Sequence, residues 1–390
     1  MSKIILKGIT WGHSRGITPL LAISQRYSEL HPEVTLIWDK RTLQEFADYP
    51  IEALTKKYDL LIIDHPWVGH AAATRCILPL ENKIPAEHLL DNMQHAVGRS
   101  HQSYYYDNHQ WALAIDAAAP VASYRSDLLE KNGATVPRTW QEITELAKKG
   151  RVAIPSIPID LLMNFYMLCI AEGSEPFSSE EKVIDNTTGL KTLDTMKALW
   201  SFIDKKMFTY NPIEVAEIMS STDDYWYCPF AYGYSNYSRN GYSRHLLTYT
   251  DLVQFRQNNQ LRSTLGGTGL AVSSSTNNET WSLRFAIWST SPEIQSTLYV
   301  THGGQPGHRV AWLSEMANRC CNNFFTNTLA TMDRAYIRPR YYGYLDFQDQ
   351  AGTLLQEYLL NKEGPEKTLD KINNLYRNSK IQTKGFKETL

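Results

Sequence analysis

The sequence predicts an α/β protein of two domains. Segments that read as strand and helix alternate through the first part of the chain. The run Leu60–Ile63 is continuously apolar, as in strands covered by helices on both faces. The 390 residues, 43% of them hydrophobic, supply two domains of ordinary size. Strands separated by helices predict a parallel sheet. In open sheets of that kind, ligands bind beyond the carboxyl ends of the strands.

Taken in order, "IILKGITW" is the first strand. "RGITPLLAISQRYSELHP" is a helix with apolar Leu20, Leu21, Ile23 and Tyr27, closed by Pro32. "EVTLIWDK" is the second strand. "TLQEFADYPIEALTKKY" is helical with a break at Pro50, and "DLLIID" is the third strand. This strand ends in Asp64-His65-Pro66-Trp67, where Asp64 either caps a helix starting near Val68 or faces a ligand. "QWALAIDAAAPVASYR" reads as strand, bend, strand. A helix follows from Ser126 to Gly133 with Ser126 as N-cap. In "VPRTWQEITELAKKG", Thr139 and Glu142 make a capping box. "RVAIPS" is a strand, and "LLMNFYMLCIAEG" and "LKTLDTMKALWSFIDKKM" are helices. "YWYCPFAYGYSNYSR" is a strand running into an aromatic loop. "STLGGTGLAVSSSTNN" returns to strand, "ETWSLRFAIWSTSPEIQSTLYVTHGG" to helix, and the remainder is helical.

Composition narrows the function. A net charge of −2 with mixed signs leaves no electrostatic footprint for nucleic acid. The 23 Tyr and 10 Trp offer flat apolar faces with a polar handle, suited to a core or to a wet binding site. The five cysteines include no CxxC spacing and read as buried thiols of a reducing compartment. His13 and His65, with Asp64 or Asp116, lack any short metal-ligand spacing, so neither a metal nor a cofactor is expected. The N-terminus lacks the apolar core and cleavage site of a signal peptide, and no apolar run approaches a bilayer span. As the sequence stands, a cytoplasmic location is expected, or a periplasmic or extracellular one if a leader was removed.

Some candidate ligand residues come from position alone. Trp11-Gly12-His13-Ser14-Arg15-Gly16 joins the first strand to a helix. Free N–H groups there attract anions, with His13, Ser14 and Arg15 beside them. The alternative is an ordinary turn with Ser14 capping and Arg15 in solvent. Trp38 and Asp39 close the second strand, and Asp64 and His65 the third. Gly267 and Thr268 open the strand "GGTGLAV", whose backbone can touch a ligand. "GGQPGHR" brings Gln305 and Arg309.

Three longer stretches carry a family likeness. They are "NHQWALAIDAAAPVASYRSDLLEKNGATVPRTWQEITELAKK", "LGGTGLAVSSSTNNETWSLRFAIWSTSPEIQ" and "RPRYYGYLDFQDQAGTLLQEYLLNKEGPEKTLDKINNLY". In order and spacing they resemble the family 1 extracellular solute-binding proteins, the carbohydrate-type receptors of ABC importers. The resemblance implies a periplasmic-binding-protein-like fold: two α/β lobes joined by three chain crossings, with a ligand trapped between them by hinge closure. The lobes would be 1–115 plus 265–309 and 119–261 plus 312–390, with crossings near 116–119, 261–264 and 309–312. It implies a ligand role for Asp116 at the first crossing, an aromatic platform from Phe230 and Tyr232, and a further ring from "RPRYYGY", with Arg338 and Tyr341. It implies a monomer that holds a small polar solute, such as a sugar, and delivers it to ABC permease subunits. Two alternatives stand beside this. One is a cytoplasmic enzyme or metabolite binder on the same scaffold, acting on a small hydroxy acid or cationic metabolite, with His13, Asp64, His65 and Asp116 as acid–base groups. The other is a transferrin-like anion or metal binder.

Overall fold

The computed structural model describes residues 3–48, 50–256 and 259–388. The chain forms two compact units. The first comprises Met1–Ala118, Leu265–Asp333 and Arg340–Tyr342; the second comprises Ala119–Thr264, Arg334–Pro339 and Gly343–Leu390. Residues 312–333, expected in the second lobe, belong to the first unit. The reason is local bonding: Arg309 is forked onto Asp333 at 2.5 and 2.6 Å, and Trp312 Nε1 donates to Pro306 O at 2.7 Å. Val97 N also donates to Gly307 O at 3.0 Å.

The first unit holds a five-stranded sheet. Its order is Val34–Arg41, Ile4–Trp11, Leu60–Ile63, Gly266–Val272, Leu113–Ala118. The first three strands are parallel, as their intervening helices require. Gly266–Val272 runs antiparallel to both neighbours, so the sheet is mixed rather than parallel throughout. This strand starts beside Ala118, the residue at which the chain left the unit. It therefore enters from the opposite end to a strand delivered by a crossover helix. Leu6, Ile62, Leu113, Leu270 and Val272 fill the core with Trp38 and Phe285.

Trp38 and Asp39 do not close their strand, which continues to Arg41. Trp38 is paired with Gly8, whose missing side chain makes room for the indole. Its Nε1 donates to Ser24 Oγ at 2.8 Å. Trp38 is thus a core residue, while exposed Asp39 accepts from Tyr58 Oη at 2.8 Å. Helices Leu43–Asp48 and Ile51–Thr55 flank Pro50, and Tyr49 lies outside the described residues. The single helix expected across "ETWSLRFAIWSTSPEIQSTLYVTHGG" is interrupted. Glu279–Ser289 ends before Ser291, which caps a new turn at Pro292.

The second unit carries a three-stranded antiparallel sheet, ordered Tyr227–Tyr232, Pro120–Tyr124, Thr248–Thr250. Helices Pro158–Ala171, Asn186–Trp200, Tyr344–Leu359 and Pro365–Glu388 accompany it. Pro158–Ala171 is apolar on nearly every face and correspondingly buried. "RVAIPS" makes only a bridge, Val152 to Tyr227, rather than a strand. The short helix Ser126–Lys131 is preceded by Arg125, not capped by Ser126. The Arg125 guanidinium is buried and donates to both Asp127 oxygens at 2.7 Å.

The capping box of helix Trp140–Lys148 is present. Glu142 N donates to Thr139 Oγ1 at 3.3 Å, and Thr139 N donates to Glu142 Oε2 at 2.9 Å. Thr139→Ala should lower the unfolding free energy by about 1 kcal/mol, read as a lower urea midpoint with an unchanged m-value.

Candidate functional site

Strand register brings one set of predicted residues to a common edge of the first unit's sheet. Ile9 pairs with Leu61, which sets Trp11 level with Ile63. Ile63 pairs with Gly269, and Thr268 pairs with Asp116. Trp11, Asp64, Thr268 and Asp116 thus lie along the strand ends where an open sheet presents its ligand groups. Gln305 joins them: its carbonyl accepts from Ala117 N at 2.9 Å and its Nε2 donates to Ala117 O at 3.2 Å. Gly267 has φ +99°, and a side chain there would strike the Asp116 carbonyl, so the position is open to glycine only.

At the centre of this edge Arg15 and Asp116 form a fork-to-fork ion pair. Arg15 Nε donates to Asp116 Oδ2 at 3.0 Å and its Nη2 bonds Oδ1. Both residues are buried, at 3% and 1% exposure. Burial pushes the Asp116 carboxyl up, and the adjacent guanidinium opposes that rise. Arg15 is therefore not in solvent, and Asp116 faces a protein cation.

His13 replaces Ser14 as cap of helix Ser14–Leu30. Its Nδ1 accepts from Arg15 N at 3.0 Å. Burial, with Arg15 adding to it, pushes His13 down to about 4. At neutral pH the ring is neutral and its proton sits on Nε2, a donor. Asp64 caps the turn His65–Trp67, accepting from His65 N at 2.8 Å, and not the helix Val68–Thr74, whose N-cap is Trp67. The buried His65 ring meets Tyr104 edge-on at 6.4 Å.

Three buried polar atoms of these segments have no hydrogen-bond partner among the described residues: Trp11 Nε1, Trp67 Nε1 and Thr268 Oγ1. Each is an uncharged group able to hydrogen-bond a hydroxyl. Trp67 stands at the same strand end as Asp64 and His65, where a ligand is expected. Its signal was the aromatic directly after "DHP" at a strand end.

The remaining predicted residues lie elsewhere. Tyr341 is in the first unit, buried, in the short return Arg340–Tyr342. Arg340 O occupies the space a side chain on Gly69 would need, so this return packs on the helix Val68–Thr74. In the second unit, Phe230 is wholly buried between Trp140 and Trp200, with ring centroids 6.1 and 5.9 Å away. Such a ring fills a core rather than presenting a face. Tyr232 is half-buried, its hydroxyl 3.2 Å from Thr264 Oγ1. Arg338 is buried and donates to Gln348 Oε1 at 2.9 Å.

The second unit also contains a buried carboxyl. Asp160, in the first turn of Pro158–Ala171, is buried, and its Oδ2 has no partner among the described residues. Desolvation raises it to about 8, so it is protonated at neutral pH and able to donate. The sequence signal was a single acid in an otherwise apolar helix.

Four of the five thiols are buried and Cys320 is exposed. Burial pushes Cys76 up to about 11 and Cys228 up to about 12, and raises Cys169 as well. None of these three presents a thiolate nucleophile at neutral pH.

Comparison with known proteins now adds to this geometry. No curated protein matches the chain. Among solved structures, maltose-bound MalE3 of T. maritima superposes with a TM-score of 0.81 at 18% identity, over 97% of this chain and 100% of that one. A solute-binding protein of an ABC transporter from Agrobacterium radiobacter K84, in complex with ribitol, gives 0.81 at 18% identity, over 97% and 99%. One from Thermotoga lettingae TMO, bound with α-D-tagatose, gives 0.80 at 18% identity, over 97% and 100%. These establish a two-lobed periplasmic-binding-protein-like fold. A family model described as "Bacterial extracellular solute-binding protein" matches residues 51–315. The chain belongs to the bacterial extracellular solute-binding protein family.

Proposed function

We propose that this protein captures an uncharged polyhydroxylated solute, a sugar or polyol, and hands it unchanged to an ABC permease. The observation that carries the ligand class is the set of neutral donors at the sheet edge. Arg15 and Asp116 neutralise one another. Among the described residues, the buried atoms without a partner there include two indole N–H groups and a hydroxyl, beside the Nε of Arg41, whose other nitrogens donate to backbone carbonyls. Neutral donors suit hydroxyls. Sugar and polyol complexes among the structural neighbours support the same class. In this reading the protein acts as a monomer outside the cytoplasmic membrane. Among the described residues no helix is long and apolar enough to cross a membrane.

The test is a thermal-shift panel of sugars, polyols, hydroxy acids and betaines. One sugar or polyol should raise the melting temperature by about 5 °C at a hundredfold excess over Kd. Mass spectrometry should then recover that ligand intact. A shift produced only by charged metabolites would overturn the ligand class, and turnover would overturn the receptor role. Trp67→Phe keeps the ring and removes the N–H. It should weaken the active ligand about tenfold by calorimetry while leaving the melting temperature of the free protein within about 2 °C.

A further inference from the structure

Away from the sheet edge just described, the first unit gathers three metal-ligating side chains from distant parts of the sequence. Asp91 and His95 lie one turn apart at the C-terminal end of helix Ala86–Gln94. His308 precedes the short helix Arg309–Leu313. His95 Nδ1 is 2.8 Å from Asp91 Oδ1, and His308 Nε2 is 3.2 Å from Asp91 Oδ2. All three donor atoms fall within 4.8 Å of one another, and the two imidazoles stack with centroids 5.4 Å apart. Donors around a tetrahedral zinc are about 3.4 Å apart, from bond lengths of about 2.1 Å. The cluster matches that spacing after small side-chain movements.

We propose that Asp91, His95 and His308 bind a zinc-class divalent cation that staples helix Ala86–Gln94 to the segment Gln305–His308. Two imidazoles and one carboxylate are a borderline donor set, suited to Zn2+ and not to Mg2+ or Ca2+, which take oxygen ligands. The His308 side chain is 2% exposed, whereas those of His95 and Asp91 are 48% and 33% exposed, so water reaches the fourth position from one side.

One bond competes. His308 Nδ1 accepts from Val310 N at 3.3 Å, which places the ring proton on Nε2. A metal on Nε2 moves that proton to Nδ1 and gives up this long cap bond, which lowers the affinity. The staple acts on a segment that supports the sheet: Gly307 N donates to Ile115 O at 3.2 Å, and Arg309 N donates to His95 O at 2.6 Å.

The test uses the full chain stripped with chelator. Titration with ZnCl2 should show one ion per chain by calorimetry and a higher melting temperature. CoCl2 should give the intense visible band of tetrahedral cobalt, and MgCl2 no heat. His95→Gln changes an exposed residue and leaves the fold intact. It should weaken zinc at least about tenfold and abolish the cobalt band, as should Asp91→Asn. No zinc binding by the unaltered chain, or a zinc affinity in both variants unchanged from that of the unaltered chain, overturns the proposal.

Discussion

Arg15→Ala should lower the unfolding free energy by about 3–5 kcal/mol, among the largest losses any single substitution in the first unit can cause. The variant leaves the Asp116 carboxylate buried at the sheet edge with its cation removed. Desolvation then acts on an unmatched charge, and the carboxyl takes up a proton at a higher pH than before. Urea titration of Arg15→Ala, Asp116→Asn and the double substitution gives the coupling energy. The two single variants should each be far less stable than the parent. An apolar pair, Arg15→Met with Asp116→Leu, should recover much of the loss, because replacing both charges removes the desolvation cost as well as the attraction. An unchanged urea midpoint for Arg15→Ala would mean that the pair is not buried in solution.

Asp160 should make the protein less stable as pH rises. Its folded value is raised to about 8 by desolvation, against an ordinary carboxyl near 3.8 in the unfolded chain. Between these values the folded state holds a proton that the unfolded state has released. Stability from this group is therefore fully present below about pH 4 and is lost as pH climbs toward about 8, by about 1.4 kcal/mol per unit. Asp160→Asn cannot ionise and should remove the slope. The difference in unfolding free energy between variant and parent should widen in the variant's favour by about 4 kcal/mol from pH 4 to 7. Parallel pH profiles for the two proteins would show that Asp160 is solvated.

The sheet of the first unit was legible because its signals are local. Continuous apolar Leu60–Ile63, the turn "DHPW" and the glycine-rich strand each specify their own structure within a few residues. The Thr139–Glu142 box is legible for the same reason. Partners set at long range were not. Nothing within the helix that begins "SRGITPLL" indicates that Arg15 turns inward to Asp116, 101 residues away. Trp38 reads as a strand-end ring until Gly8, on the neighbouring strand, is known to lie beneath it. Phe230 lies in an aromatic-rich run as a binding platform would, and only the placement of Trp140 and Trp200 makes it core. The Asp91–His95 pair has helical spacing, but its third member lies 217 residues beyond Asp91.

The central position of Gly266–Val272 also fixes when the first unit can assemble. This strand fills the gap between Leu60–Ile63 and Leu113–Ala118, yet it is made only after all of Ala119–Thr264. A ribosome releases the N-terminal strands long before the piece that joins them exists. Until then the nascent chain carries two strand edges with nothing between them, a state open to mispairing and to capture by chaperones. A frameshift or stop anywhere before residue 266 would abolish not only the missing part but the half already synthesised.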